Sequence, residues 1–402
     1  MTQSHSRTPV IPSPKPFGHR PIPSPPQNSP GMPSCLAMRS RLLIVANLLL
    51  ALQLDGFGTL TQRPARSVLS MAIAPFKKAR RQNVPGNLYV DESCIDCDVC
   101  RWMSPSTFSR IGIKSAVYAQ PEGESQKLQA YAAMVACPVG SIRTHAPDPL
   151  IKAAFEAFPA EIDPERMPGV QHLGFHSAES FGATPYFLQR PNNAVGGAAG
   201  NVMIDTPRFN SRLADALEAA GGVQMLVLTH KDDVADHDKW KARFPQMQRV
   251  IHRTDMTADT AGCEVQLEGL GPWDPAPDLR ILHTPGHTAG SVCALYNPNG
   301  SGSAASGPLG EAALFSGDHL AYSAGRKALT GFRRFNKGNV EVQADSIRML
   351  ADEDVQFCWL LPGHGRMLRF RSMEEKGLAV AKAAEAFMAD DDAQGTLSLG
   401  YD

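Results

Sequence analysis

The chain has 402 residues, of which 43% are apolar and 20% charged, with a formal net charge of -1. That is enough for two or three domains with their own cores, and it excludes a fibrous or wholly disordered chain. Residues 1–90 carry 11 of the 39 Lys and Arg and one of the 40 acids, Asp55, leaving a body near -11 without the clustered cationic face that nucleic-acid binding requires.

In chain order, the first expected element is an address. The Pro/Ser-rich stretch from residue 9 to 34 cannot assemble a core. A basic flank then leads into the apolar run Leu42–Leu52, too short for a bilayer span of about 20 residues but suited to the h-region of a signal peptide. Residues 59–82 are Arg/Ser-rich and acid-free, as transit peptides are. Residues 1–82 resemble the bipartite presequences of complex plastids. A plain plastid or mitochondrial presequence is the alternative, and neither leaves a membrane span in the mature chain.

Four of the eight cysteines fall in one region: Cys94, Cys97, Cys100 and, before Pro138, Cys137. A Cys-x-x-Cys-x-x-Cys loop can turn three thiolates toward one centre, with the fourth arriving later, which is the ligand pattern of a cubane iron-sulfur cluster. Zinc suits it less, since zinc usually takes two paired knuckles. The stretch 83–145 resembles a single-cluster bacterial-type ferredoxin, a small α+β domain, and the resemblance implies one 4Fe-4S cluster on all four cysteines. Cys263, Cys293 and Cys358 lie in apolar runs and read as small buried hydrophobes.

Residues 146–167 hold one short helix between prolines, a semi-rigid connector. From 168 to 372, apolar strand-like runs alternate with amphipathic ones, and their ends run into His or Asp, as in an α/β domain with ligands on loops at one sheet edge. Those ends are LTHKDDVADH, IHRTD, LHTPGHTAGS, FSGDHL and LLPGHGR. In order and spacing they resemble the ligand loops of the metallo-β-lactamase superfamily, which implies an αββα sandwich with metals in a groove. By that resemblance His230 and His287 serve a first metal, Asp236, His237 and His364 a second, and Asp318 bridges them. One or two divalent ions, zinc or iron, are the implied cofactors.

The first loop departs from the family's His-x-His-x-Asp-His. It has two extra residues, and Asp232 stands where the second histidine belongs, with Asp233 a competitor once the loop rearranges. An oxygen ligand there moves preference from zinc toward iron or manganese. His319 is expected to orient a ligand, Asp205 to tie down its loop, and His172, His176, His252 and His283 to be structural. Residues 373–402 read as a solvated capping helix and an acidic tail.

The leading functional expectation is hydrolysis of a small-molecule ester, thioester, amide or phosphoester by a metal-held hydroxide, with Asp236 orienting the water. The alternative is an iron-dependent oxidoreductase that takes electrons from the cluster and needs an electron-transfer partner. Flavodiiron reductases and persulfide dioxygenases are similar in using a lactamase-like domain with iron. A third reading is an electron carrier or binding module on a degenerate scaffold.

Overall fold

The computed structural model describes residues 78–190 and 200–389. Most of the expected presequence and the acidic tail lie outside the described residues. The first described strand, Leu88–Val90 (β1), is followed by helix Val99–Met103 (α1), the hairpin Phe108–Ile111 (β2) and Lys114–Val117 (β3), helix Gly123–Ala136 (α2) and strand Ile142–Thr144 (β4), which returns antiparallel to β1. The cysteine loop between β1 and α1 is bent by Asp96 and Asp98, both in the left-handed region at φ 64 and 67, a conformation that a short polar side chain tolerates. Arg101 fixes the bend from inside, with its Nε 2.6 Å from Asp98 and its Nη1 2.6 Å from Asp96.

The expected connector is packed rather than spacer-like. Helix Leu150–Glu156 (α3) buries Ala154, and Phe158 follows it into the core that also holds Tyr131, Ala133 and Leu173. The next sheet already begins at Ala160–Glu161 (β5), before the expected boundary at 168. It continues with Val170–His172 (β6), Tyr186–Leu188 (β7) and Val202–Ile204 (β8), then helix Ser211–Ala219 (α4), strand Met225–Val227 (β9), helix His237–Arg243 (α5), and strands Gln248–His252 (β10) and Val265–Leu267 (β11). Its order is β11-β10-β9-β8-β7-β6-β5, parallel from β8 to β11 and antiparallel from β5 to β8.

A second sheet takes Trp273–Ala276 (β12), Leu279–His283 (β13) and Val292–Tyr296 (β14). Past a small ribbon, Ser306–Gly307 (β15) and Gly310–Glu311 (β16), comes Ala313–Gly317 (β17). A hairpin, Ala321–Ser323 (β18) and Ala328–Thr330 (β19), and helix Val340–Met349 (α6) lead to Trp359–Pro362 (β20), Leu368–Arg369 (β21) and helix Met373–Ala389 (α7). The six strands run β12-β13-β14-β17-β20-β21.

Side chains alternate across each strand, and the alternation sorts them into layers. Val202 and Ile204 of β8 share a core with Ile281, Val292 and Phe315 of the second sheet. Met203, between them, faces outward with Leu213 and Leu217 of α4 and Trp240 of α5. On the far side Leu314, Cys293 and Leu360 meet Ile347 of α6 and Val380, Ala384 and Phe387 of α7. The result is helix, sheet, sheet, helix. The C-terminal helix is therefore not merely solvated: it completes the outer layer, since an Ala-rich face lies flat on a sheet. Among the described residues no helix is long and apolar enough to cross a membrane.

Candidate functional site

Cys94, Cys97, Cys100 and Cys137 line one cavity with Val90, Pro138 and Ile142, and none is in a disulfide. Burial pushes the Cys100 thiol up to about 12 and the Cys97 thiol well up, and neighbouring cysteines add to both. Cys137, Cys100 and Cys94 repel charge on Cys97, and the Arg101 guanidinium offsets only part of the rise at Cys100, so the four thiols form a donor set that fits an iron-sulfur cluster, whose charge removes that repulsion.

The other candidate centre lies where strands of the sandwich end. His230 follows β9, His287 follows β13, Asp318 follows β17 and His364 follows β20. Ligand atoms of His230, His287 and Asp318 lie within 4.8 Å of one another, and so do those of Asp233, Asp318 and His364. Both groups are buried and share Asp318. His230 Nε2 stands 3.9 Å from Asp318 and 3.9 Å from Asp233, and His287 Nε2 3.8 Å from Asp318. These gaps are too long for hydrogen bonds. They approach the ~3.4 Å separation of two ligands placed about 2.1 Å from one tetrahedral ion. His230 Nε2 and Asp233 Oδ2 are buried with no hydrogen-bond partner among the described residues, a cost of about 1–3 kcal/mol each unless something binds them. The residues present fit a metal.

The second layer sets the direction of the lone pairs. Asp205 accepts from the Thr229 amide at 2.8 Å and the Thr229 hydroxyl at 2.9 Å. With its proton donated to Asp205, the hydroxyl can only accept from His230 Nδ1, 3.1 Å away, which leaves Nε2 unprotonated and aimed at the site. Burial raises Asp205 to about 6, against the pull of His230 and the two Thr229 hydrogen bonds. Asp318 would be raised by burial, yet the charge and 2.7 Å hydrogen bond of His364, with His230 and His287, hold it well below the usual range. Burial, then Asp318, Asp205 and Asp232, push Asp233 well up. Burial takes His287 down to about 4.

Two residues assigned to the second metal are placed elsewhere. Asp236, in the left-handed region at φ 56, stands at the start of α5, accepting from the Phe209 amide at 2.7 Å and pairing with Lys239. His237 is turned into the helix-side packing, its Nδ1 2.9 Å from Arg249 Nη1. The turn that starts α5 aims both away from the groove, and Asp233 occupies the position instead. Asp232 is marginal: its Oδ2 is 4.0 Å from both His230 and His287 and 2.8 Å from Lys337 Nζ. His319 is buried with neither ring nitrogen hydrogen-bonded among the described residues, so it orients none of the candidate ligands. His172 and His176 pair at 2.8 Å, and His252 stacks on His283 at 4.3 Å. Lys337 and Arg366 had no signal in the sequence beyond their neighbourhood to Gly338 and Gly365.

Residues 90–144 match the family described as the 4Fe-4S single cluster domain of Ferredoxin I. No curated protein matches the chain in sequence. Among solved structures, the chain is similar to ETHE1 from Myxococcus xanthus at 19% identity and TM-score 0.35, covering 55% of this chain and 88% of that one. It is similar to a metallo-beta-lactamase from Staphylococcus aureus subsp. aureus COL at 17% and 0.38, covering 55% and 66%. An archaeal metallo-beta-lactamase superfamily protein from Sulfolobus tokodaii aligns at 14% and 0.37, covering 57% and 90%. The layered architecture stands on the strand order and the shared core, not on these overlaps.

Proposed function

We propose that the chain is a metal-dependent oxidoreductase of the metallo-β-lactamase superfamily. In this reading a 4Fe-4S cluster on Cys94, Cys97, Cys100 and Cys137 serves a centre of one or two metals on His230, His287, Asp318, Asp233 and His364. One observation carries it: Asp98, inside the cysteine loop, is forked onto Arg366, two residues past His364, at 2.7 and 3.0 Å. The loop suited to a cluster thus abuts the loop suited to a metal. A cluster moves single electrons and has no part in ordinary hydrolysis.

The donor set points the same way. Asp233 and Asp318 make two of the three ligands around His364 carboxylates, which favours iron or manganese over zinc. Bound iron would supply Lewis acidity together with one-electron chemistry. The chain itself holds His230 in its metal-ready tautomer through Thr229, keeps Asp318 ionised between three imidazoles, and sets Lys337 as an ammonium on the exposed side of Asp232, where a small-molecule substrate would enter.

A second reading is hydrolysis of a small-molecule ester, thioester, amide or phosphoester. Asp318, shared between both ligand groups, favours it, since two zinc ions would use the same bridge. Elemental analysis of the anaerobically purified chain separates the two. About four irons plus one or two more supports the oxidoreductase, about four irons plus zinc the hydrolase, and four irons alone removes both.

A further inference from the structure

Three consecutive residues touch both candidate centres. Gly182 sits against the cysteine loop so closely that a Cβ there would lie 2.9 Å from Cys97 Cβ, 3.2 Å from Cys97 Sγ and 3.3 Å from Pro138. Its φ is +90, and only a residue without a side chain brings backbone this near a ligand sulfur. The preceding residue, Phe181, is also left-handed, at φ 48, a strained setting for an aromatic that persists only when its surroundings enforce it. Its ring lies 6.2 Å from the His364 ring, and the carbonyls of Phe181 and Ser180 face that imidazole.

The segment is stitched in place from both sides. The Gly182 amide donates to Ser177 at 2.8 Å, and its carbonyl accepts from His176 Nδ1 at 2.8 Å. The Thr184 amide donates to Gly363, beside His364, at 2.7 Å, and the Tyr186 hydroxyl donates to Pro362 at 2.7 Å. Alongside runs the charged bridge. Asp98 is buried between Cys97 and Cys100, and Arg366 reaches it from the His364 loop while Arg101 holds its other flank. A fold needing only to seat two domains together has no use for a glycine on a ligand cysteine followed back along the chain by an aromatic on a ligand histidine.

We propose that Ser180, Phe181 and Gly182, with the Asp98–Arg366 fork, are the route by which single electrons pass from the cysteine-held cluster to the His364 side of the metal centre. This rests on the oxidoreductase reading above. One electron leaves the reduced cluster, which returns to its oxidised level, and one ferric ion held by Asp233, Asp318 and His364 becomes ferrous. A low-potential one-electron donor protein restores the cluster, and no bond in the chain is made or broken. Arg366 adds a second role: its positive charge beside Asp98 favours the more negative, reduced cluster, so removing it lowers the cluster potential.

The test uses the full chain, anaerobic, loaded with iron or with zinc at the histidine-carboxylate site. The cluster is reduced by a light pulse, and its visible absorbance is followed. Recovery in the iron form that is first order and independent of protein concentration is expected, with none in the zinc form. Phe181→Leu and Gly182→Ala should slow it by at least about tenfold, the scale on which outer-shell changes act, with iron content unchanged. Arg366→Gln should lower the cluster midpoint potential in a spectroelectrochemical titration, and Arg366→Lys should restore most of it. Should Gly182→Ala fail to fold, Phe181→Leu and the potential of Arg366→Gln decide the matter. Recovery proportional to protein concentration, or unchanged in Phe181→Leu, overturns the route while leaving the oxidoreductase reading standing. No recovery with iron bound overturns both.

Discussion

At the scale of single residues, the choice between two aspartates three positions apart decides the chemistry. Asp233 is buried, without a hydrogen-bond partner at Oδ2 among the described residues, and 3.9 Å from His230, whereas Asp236 spends its oxygens on the Phe209 amide and Lys239. Asp233→Ala should therefore lower affinity for one bound metal by at least about tenfold. Asp236→Asn should leave metal content intact and cost about 1 kcal/mol, the worth of a part-exposed ion pair and one hydrogen bond. Metal content after dialysis against a chelator, alongside urea unfolding, measures both. If Asp236→Asn loses the metal and Asp233→Ala keeps it, the loop folds as the family pattern has it. His287, His364 and Asp318 were legible because each follows a glycine at a strand end. Asp233 was legible only as a competitor to Asp232, because the φ of Asp236 decides which side of the loop faces the groove.

At the scale of elements, ligand loops work only if neighbouring helices can close on them. Gly286, before His287, has φ +138, and a Cβ there would lie 2.3 Å from Gln343 Cα and 2.5 Å from Gln343 N of α6. Backbone atoms of a helix cannot step aside singly, so Gly286→Ala must displace α6 or the His287 loop. Destabilisation of about 3 kcal/mol is expected, with loss of metal. Gly302 has a positive φ too, but nothing lies within 4 Å of its missing Cβ. Gly302→Ala should cost about 1–2 kcal/mol, through backbone conformation alone, and chemical denaturation of the two variants side by side checks the contrast. The turn in PGHT was plain in the sequence. The helix it touches, 57 residues further on, was not.

At the scale of the whole molecule, the cysteine-bearing part and the sandwich share buried polar contacts, and these carry a pH dependence. His172 and His176 are buried against each other beside Trp102, whose ring is 5.1 Å from His172. Burial holds His172 well below the ordinary histidine range and His176 at about 4. The unfolded chain takes up protons near pH 6.5 that the folded pair refuses, so stability is full above that pH and falls as pH drops toward 4. The slope is up to about 1.4 kcal/mol per unit for each histidine. Urea unfolding at pH 7, 6 and 5 should show the fall, and His172→Gln should flatten it. An equal slope in that variant would place the titrating groups elsewhere.

Local spacing by itself determined the four-cysteine site, because Cys94, Cys97 and Cys100 reach one centre through a single turn and Cys137 needs only the small fold around it. The alternation of strands with His and Asp at their ends likewise pointed to an α/β domain with ligands at one sheet edge, and the resemblance of its loops to those of metallo-β-lactamases supplied the layered fold and four of the candidate ligands. Tertiary structure alone decided the rest. It turned Asp236 and His237 out of the groove in favour of Asp233, laid the connector and the C-terminal helix into cores, and brought Arg366 to Asp98 across 268 positions of chain. Such contacts depend on how sheets stack and where a left-handed residue swings a loop, which are properties of the packed molecule and leave no periodicity in the sequence.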